Sequence, residues 1–469
     1  MNLTPKERAA IPLQEMPCQP PEMRIKNMEE VAFGYSEKQA LKEADRCLQC
    51  KTAPCIEGCP VNINIPAFIH AITEHNYAKS ISIIKQSSLL PAVCGRVCPQ
   101  EEQCQAPCTL GKILKDKANA VSIGRLERFV ADKELPSSNT LNIQPQTGKK
   151  IAIIGSGPAG ITVAADLCRE GHAVTIFEAF HKPGGVMTYG IPEFRLPKKI
   201  VEKEINSLKS IGVKIATDFI IGRTRKLMDL IKKDGFDAIF IGTGAGLPKF
   251  LNIEGENCIG VFSANEYLTR VNLMKAYQTD QQETPIYFGR KVAVLGGGNV
   301  AMDAARTALR IGAEEVHLIY RRTEKEMPAR IEEVVHAKEE GIQFHLLQNI
   351  QKIISDEAGC VKEIECVRYE LGKPDASGRP RPVLIKGSEF NLEINTVIIA
   401  IGNGSNPLIK QTTPELNVNA NGNIITDENC KTSIPGVWAG GDIVSGAATV
   451  ILAMGQGRIA AKSINEYLT

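Results

Sequence analysis

Four thiols, those of Cys47, Cys50, Cys55 and Cys59, fall within the fourteen residues CLQCKTAPCIEGCP. A second block, CGRVCPQEEQCQAPC, adds Cys94, Cys98, Cys104 and Cys108. Thiols so closely spaced suit metal, and iron-sulfur clusters take their ligands from such runs. Cys59 stands before Pro60 and Cys98 before Pro99. In two-cluster runs the cysteine before proline serves the other cluster, so crossed ligation is expected. Cys47, Cys50 and Cys55 would share one 4Fe-4S cubane with Cys108. Cys59, Cys98 and Cys104 would hold the second, whose fourth ligand stays open. Zinc is the competing occupant, since paired cysteines also make closed tetrahedral sites. The wider spacings of the second block, CxxxC and CxxxxxC, argue for clusters.

Two glycine loops could bind dinucleotides. In IAIIGSGPAG, Gly155, Gly157 and Gly160 follow an apolar strand and open a helix. The first would permit the tight turn, the second would let backbone approach a pyrophosphate, and the third would let helix pack on strand. The next strand, AVTIFEA, ends in Glu178, placed to accept hydrogen bonds from a ribose diol. VAVLGGGNVAMDAA repeats the arrangement with Gly296, Gly298 and Ala301, but its second strand, VHLIYRR, ends in Arg321 and Arg322. Guanidinium groups there would grip a 2′-phosphate. The first loop is therefore expected to hold FAD and the second NADP(H), with hydride passing between them. Gly184 and Gly185, in KPGGVMTYGIPEFRLP, would let backbone approach an isoalloxazine ring. Near the end of the sequence, Asp442 would meet a ribityl hydroxyl. A helix starting near Ala448 and Thr449 would aim its positive end at the flavin pyrimidine edge. No CxxC pair lies beside either loop, which argues against a disulfide reductase.

The elements that must position these groups change in texture along the chain. Up to about residue 135, stretches such as SEKQALKEADRCLQC and PAFIHAITEHNYAKSISIIKQ place apolar residues at helical spacing. ADKELPSSNTLNIQPQTGKK reads as a connection. From Lys150 apolar strands, glycine loops and helices alternate, which predicts an α/β class with parallel sheets. The expected division is a helical domain with two 4Fe-4S clusters at 1–145, an FAD-binding domain at 146–275 and 409–469, and an NADP(H)-binding domain inserted at 276–408. A length of 469 residues accommodates this at roughly 150 residues per domain. The formal charge of +2 implies neither a nucleic-acid surface nor a polybasic membrane anchor. No apolar run resembles a signal-peptide core or reaches the ~20 residues that span a bilayer, so a cytoplasmic location is expected.

Together the two cysteine blocks, IGRLERFVAD, IGSGPAG, GGGNVAMD, YRRTEKEMPA and WAGGDI resemble the glutamate synthase small subunit family. That family includes the large subunit of NADH-dependent reduced ferredoxin:NADP oxidoreductase and the N-terminal half of dihydropyrimidine dehydrogenase. The resemblance spans essentially the whole chain. It implies FAD, NADP(H), two 4Fe-4S clusters, and electron transfer to a partner subunit. It also implies that one cluster has three cysteines completed by a Gln or Glu on the following helix, which matches Glu127 in GRLERF and leaves Cys94 a spare thiol. SANEYLTRVNLMKAY and MPARIEEVVHAKEEGI look more like the ferredoxin:NADP oxidoreductase large subunit and the related archaeal-type glutamate synthase chains than like the small subunit of the large bacterial glutamate synthase. In the ferredoxin:NADP oxidoreductase branch a small flavoprotein is the partner and a bound flavin splits electrons between ferredoxin and NAD. The alternatives are the NADPH-oxidising chain of glutamate synthase, partnered by a large chain, and a self-contained reductase of a small oxidant such as polysulfide. Position 2 is Asn rather than the nucleophilic cysteine of a glutamine amidotransferase, so making glutamate would need another chain.

Overall fold

A computed structural model describes residues 3–134, 143–278, 284–287, 289–374 and 378–469. The connection expected at 131–150 falls partly outside the described residues, at 135–142. Ahead of it lie helices Glu37–Asp45, Ile65–Thr73, Tyr77–Lys85, Pro91–Val97 and Ile123–Asp132. Side chains start them. Ser36 and Gln39 form a reciprocal capping box, and Asn64 and Asn76 accept from the N–H groups of Ala67 and Lys79. Phe68, Ile69 and Ile72 bury one face of their helix, and Leu126, Phe129 and Val130 bury another.

Two parallel sheets follow. The first runs in the order Val437–Ala439, Ala238–Ile241, Lys150–Ile154, Ala173–Phe177, Lys214–Ala216. Its edge strand Val437–Ala439 enters only after the second sheet is complete, so the second unit is inserted in the first. The second sheet runs Val261–Ser263, Thr396–Ile399, Lys291–Leu295, Glu315–Tyr320, Gln343–Leu346. The sheet itself begins ahead of residue 276. Val261–Ser263 pairs with Thr396–Ile399, and Tyr267 and Val271 of the next helix enter the second core. Three residues of strand carry no glycine loop, so nothing in the sequence marks them as the sheet's start. Between residues 348 and 393 an antiparallel excursion, Gln348–Ser355, Val361–Pro374, Pro380–Leu384 and Phe390–Glu393, covers one side. Where the chain passes between the two sheets, Leu247–Pro248 pairs with Asn403–Gly404.

One apolar core runs from Phe68 and Phe129 of the helical unit through Ile161 and Leu167 to Met454 and Ile464. The thiol-bearing segment is therefore packed on the first sheet's helices. A buried ion network fastens the second unit. Arg24 pairs with Glu340 at 2.7 Å, Arg195 with Asp303 at 2.7 Å and Glu333 at 3.1 Å, and Arg306 with Glu340 at 2.7 Å. Removing one member would strand a buried charge, a loss of about 3–5 kcal/mol.

Candidate functional site

The first glycine loop sits at the C-terminal end of Lys150–Ile154. Gly155 has φ +96° and a Cβ there would lie 2.5 Å from the Gly242 carbonyl oxygen, so only glycine fits. A Cβ on Gly160 would lie 2.1 Å from the Gly155 carbonyl oxygen, which is the close packing of helix Pro158–Arg169 on the turn. A Cβ on Gly157 would meet nothing within 4 Å. The middle glycine thus borders open space at a helix N-terminus, where free N–H groups favour an anion. Glu178 is 5% exposed beside it, and its carboxylate accepts from the Ser156 N–H at 2.9 Å, from the Ser156 hydroxyl, and from the Phe180 N–H at 2.9 Å. Gly184 N–H donates to Ser156 Oγ at 2.9 Å, and a Cβ on Gly185 would lie 2.8 Å from Gly157 Cα. These residues share one cradle.

Asp442 opens a short helix at the same place, next to Gly441, whose Cβ would sit 3.1 Å from the Ala159 Cβ. Burial pushes its carboxyl up to about 6, against a hydrogen bond from the Ala448 N–H. Thr449 caps helix Val450–Leu468, accepting from the Leu452 N–H at 3.3 Å. Tyr189, which the sequence reading does not single out, lies between these groups. Burial, then the charges of Asp442 and Glu178, hold its hydroxyl up at about 12.

The second loop repeats the geometry. Gly296 has φ +147°, with a Cβ 2.4 Å from the Ala400 carbonyl oxygen. Gly298 precedes helix Asn299–Ile311 as its cap, and Ala301 is buried where the helix meets the turn. Gly296 N–H donates to Ile319 O at 3.0 Å, holding the loop beside the strand that leads to the two arginines. Arg321 is exposed, whereas Arg322 is buried and its Nε donates to Pro380 O at 2.8 Å. Alike in sequence, the two differ in setting, because the antiparallel excursion folds over Arg322.

Cys47, Cys50, Cys55 and Cys108 line one cavity, walled by Ile65, Ile69, Val121 and Ile123. Burial pushes the thiols of Cys47 and Cys55 up to about 11 and about 12. Cluster assembly would have to displace those protons. Among the described residues no three His, Cys, Asp or Glu side chains converge on a point fit for a single ion. Thiols spread around a cavity wall suit a cubane, where each binds a different iron, better than one zinc.

Cys59, Cys98, Cys104 and Glu127 form a deeper group, each no more than 9% exposed. Glu127 Oε1 has no hydrogen-bond partner, and burial alone pushes the carboxyl up to about 8. Its charge acts on all three thiols. A buried carboxyl with no partner is costly unless something electropositive joins it, so the residues present fit a metal-bearing group. Cys94 is also close: contact with it is the main influence raising Cys98, ahead of burial and Glu127. The Cys94 thiol has its own neighbours, 3.7 Å from Met454 Sδ and 3.9 Å from Ser88 Oγ. Cys104 feels both Cys59 and Cys55, so the two groups adjoin.

The deeper group faces the first glycine loop through helix Val450–Leu468. Gln103 Nε2 donates to Thr449 Oγ1 at 3.4 Å. A Cβ on Gly455 would lie 3.0 Å from Pro60 O, and one on Gly457 2.8 Å from Ala159 O. These two glycines let the helix lie between thiols and loop. The sequence reading passes over them, although a GxG inside a helix pattern was the available signal.

The family model for dihydropyrimidine dehydrogenase domain II, 4Fe-4S cluster, matches residues 24–139. That for pyridine nucleotide-disulphide oxidoreductase matches 149–457. The chain is 36% identical over 460 residues to the glutamate synthase [NADPH] small chain of Escherichia coli (strain K12), covering 96% of each chain. It is 40% identical to the NADP(+)-dependent formate dehydrogenase subunit beta of Moorella thermoacetica, over 89% of this chain but only 60% of that longer relative. Among solved structures, FprA from Mycobacterium tuberculosis matches with TM-score 0.57 at 20% identity, over 68% of this chain and 85% of that one. Lactococcus lactis thioredoxin reductase matches with TM-score 0.50 at 22% identity, over 68% and 99%. These structural likenesses establish a shared fold for the two-sheet part.

Proposed function

The chain belongs to the glutamate synthase small-chain family of NADPH-dependent flavin and iron-sulfur oxidoreductases, and from that premise we propose that it moves electrons from NADPH to a partner subunit. FAD would lie in the cradle of Gly155, Gly157, Gly160, Gly184 and Gly185, with Glu178 accepting from the ribose and Asp442 from the ribityl chain. NADP(H) would lie on Gly296, Gly298 and Ala301, with Arg321 on the 2′-phosphate and Arg322 bracing the turn beneath it. One cluster would be held by Cys47, Cys50, Cys55 and Cys108, the other by Cys59, Cys98, Cys104 and Glu127.

When bound, flavin takes a hydride's electron pair and clusters carry electrons singly. The chain's own residues set the rest. Loop amides and Arg321 orient the donor, and the N-terminus of helix Val450–Leu468 supplies positive potential where charge develops. The observation that carries this reading is the Gln103–Thr449 contact, which puts the Cys104 group against that helix. Cys50, Cys55 and Cys108 are only partly buried, so the outer group is the exit to a partner.

The match to the glutamate synthase small chain along 96% of both chains supports a glutamate synthase large chain as partner. The stretches 263–277 and 327–342 support the second reading, a small flavoprotein and ferredoxin in a bifurcating complex. Affinity purification from native cells tests the choice. Recovery of either partner decides it, and NADPH-driven turnover of polysulfide by the chain alone would contradict both. Among the described residues no helix is long and apolar enough to cross a membrane.

A further inference from the structure

Arg330 joins the second glycine loop to the deeper thiol group. Its backbone N–H donates to Asn299 Oδ1 at 3.0 Å, and the Ala329 N–H donates to Gly297 O at 3.2 Å, so this segment lies on the loop itself. Its guanidinium points the other way: Nη1 donates to Arg96 O at 2.8 Å and Nη2 to Gln100 Oε1 at 3.0 Å. Gln100, 4% exposed, donates through Nε2 to Cys94 O at 3.2 Å and through its N–H to Cys98 O at 2.9 Å. The chain leaves room for this side chain. A Cβ on Gly124, one turn before Glu127, would lie 2.1 Å from Gln100 Nε2.

We propose that Arg330 and Gln100 are positioning residues through which a 2′-phosphorylated nucleotide on the second loop shifts the reduction potential of the cluster held by Cys59, Cys98, Cys104 and Glu127. The inference rests on the cofactor assignment above. A phosphate drawn to the N-terminus of helix Asn299–Ile311 fixes the Gly297–Asn299 segment; the Ala329 N–H is bonded to the Gly297 carbonyl, and Arg330 is bonded through its N–H to the Asn299 side chain and through its guanidinium to Gln100. The Gln100–Cys94 bond is buried and the two Arg330 bonds are partly so, which makes exchanging them for water costly, so displacement at one end is passed along. At the far end, groups around the ligating sulfurs tune the cluster. By linkage, reducing the cluster must change nucleotide affinity by the same factor.

The test is a redox titration of the reconstituted full chain, followed by electron paramagnetic resonance, with and without adenosine 2′,5′-bisphosphate, which carries no nicotinamide. The inner-cluster midpoint is expected to shift with the probe, and probe affinity to differ between oxidised and reduced chain by the matching factor. Arg330→Gln and Gln100→Ala should each abolish the shift while iron content and probe binding persist, and Arg330→Lys should restore part of it. Identical wild-type titrations with and without probe would overturn the proposal, as would a full shift in both variants. A chain that takes up no iron or does not bind the probe would overturn the underlying assignment, and this inference with it.

Discussion

Gln103 and Thr449 meet where the thiol-bearing segment touches the first glycine-loop unit, the Gln103 amide donating to the Thr449 hydroxyl at 3.4 Å. Gln103 adjoins Cys104, and Thr449 is the cap of helix Val450–Leu468. The deeper thiol group therefore adjoins that helix terminus. This adjacency could not be read from the cysteine spacing, since both blocks contribute to both groups.

Gly157→Ala and Gly155→Ala should part company. A Cβ at 157 enters open space, so folding should survive while flavin content falls severalfold; a Cβ at 155 meets backbone at 2.5 Å in a left-handed conformation, so the protein itself should be destabilised by about 1–3 kcal/mol. Flavin absorbance and thermal melting of the two variants check this.

Arg321→Ala should weaken NADPH binding by about 10–100-fold and leave NADH nearly unchanged, the loss of one charge-assisted phosphate contact. Arg322→Ala should act chiefly on stability, because its Nε is spent on Pro380 O in a buried turn. Titrations with both nucleotides, beside melting curves, separate the two effects.

Replacing Glu127 by Ala should lower iron by about half, since one of two 4Fe-4S sites loses a ligand, whereas Cys94→Ala should leave it unchanged. Iron and sulfide assays with electron paramagnetic resonance decide between them. Full iron in Glu127→Ala and loss in Cys94→Ala would assign Cys94, the main influence on the Cys98 thiol, as the ligand.

Glu204 lines a cavity between the helical unit and the first sheet's helices, with Lys85 and Leu208. Burial raises its carboxyl from 4.5 to about 7, against the charge of Lys85. The folded chain therefore holds a proton that the unfolded chain releases between those values. Stability should fall by up to roughly 3 kcal/mol as pH rises from 4.5 to 7 and level off above. Glu204→Gln should flatten that part of the pH profile in chemical denaturation.

The glycine loops were legible because strand, turn and helix leave a fixed local spacing, and Gly155, Gly160 and Gly296 stand where backbone contact demands them. The helical character of the first part was legible from the spacing of apolar residues such as Phe68, Ile69 and Ile72. Features that depend on distant segments were not. Arg322 is buried by a strand some 60 residues later, and Tyr189 gains its setting from Asp442 and Glu178. The link from Arg330 to Gln100 joins residues 230 apart, and the first strand of the second sheet is too short to announce itself.

The central claim, that NADPH electrons pass singly through sulfur-held iron beside the first glycine loop, is tested most directly by adding NADPH to the anaerobically reconstituted chain with no partner present. The account predicts flavin bleaching together with a paramagnetic signal from reduced clusters. Bleaching with no such signal, in protein shown to contain iron and sulfide, would contradict it.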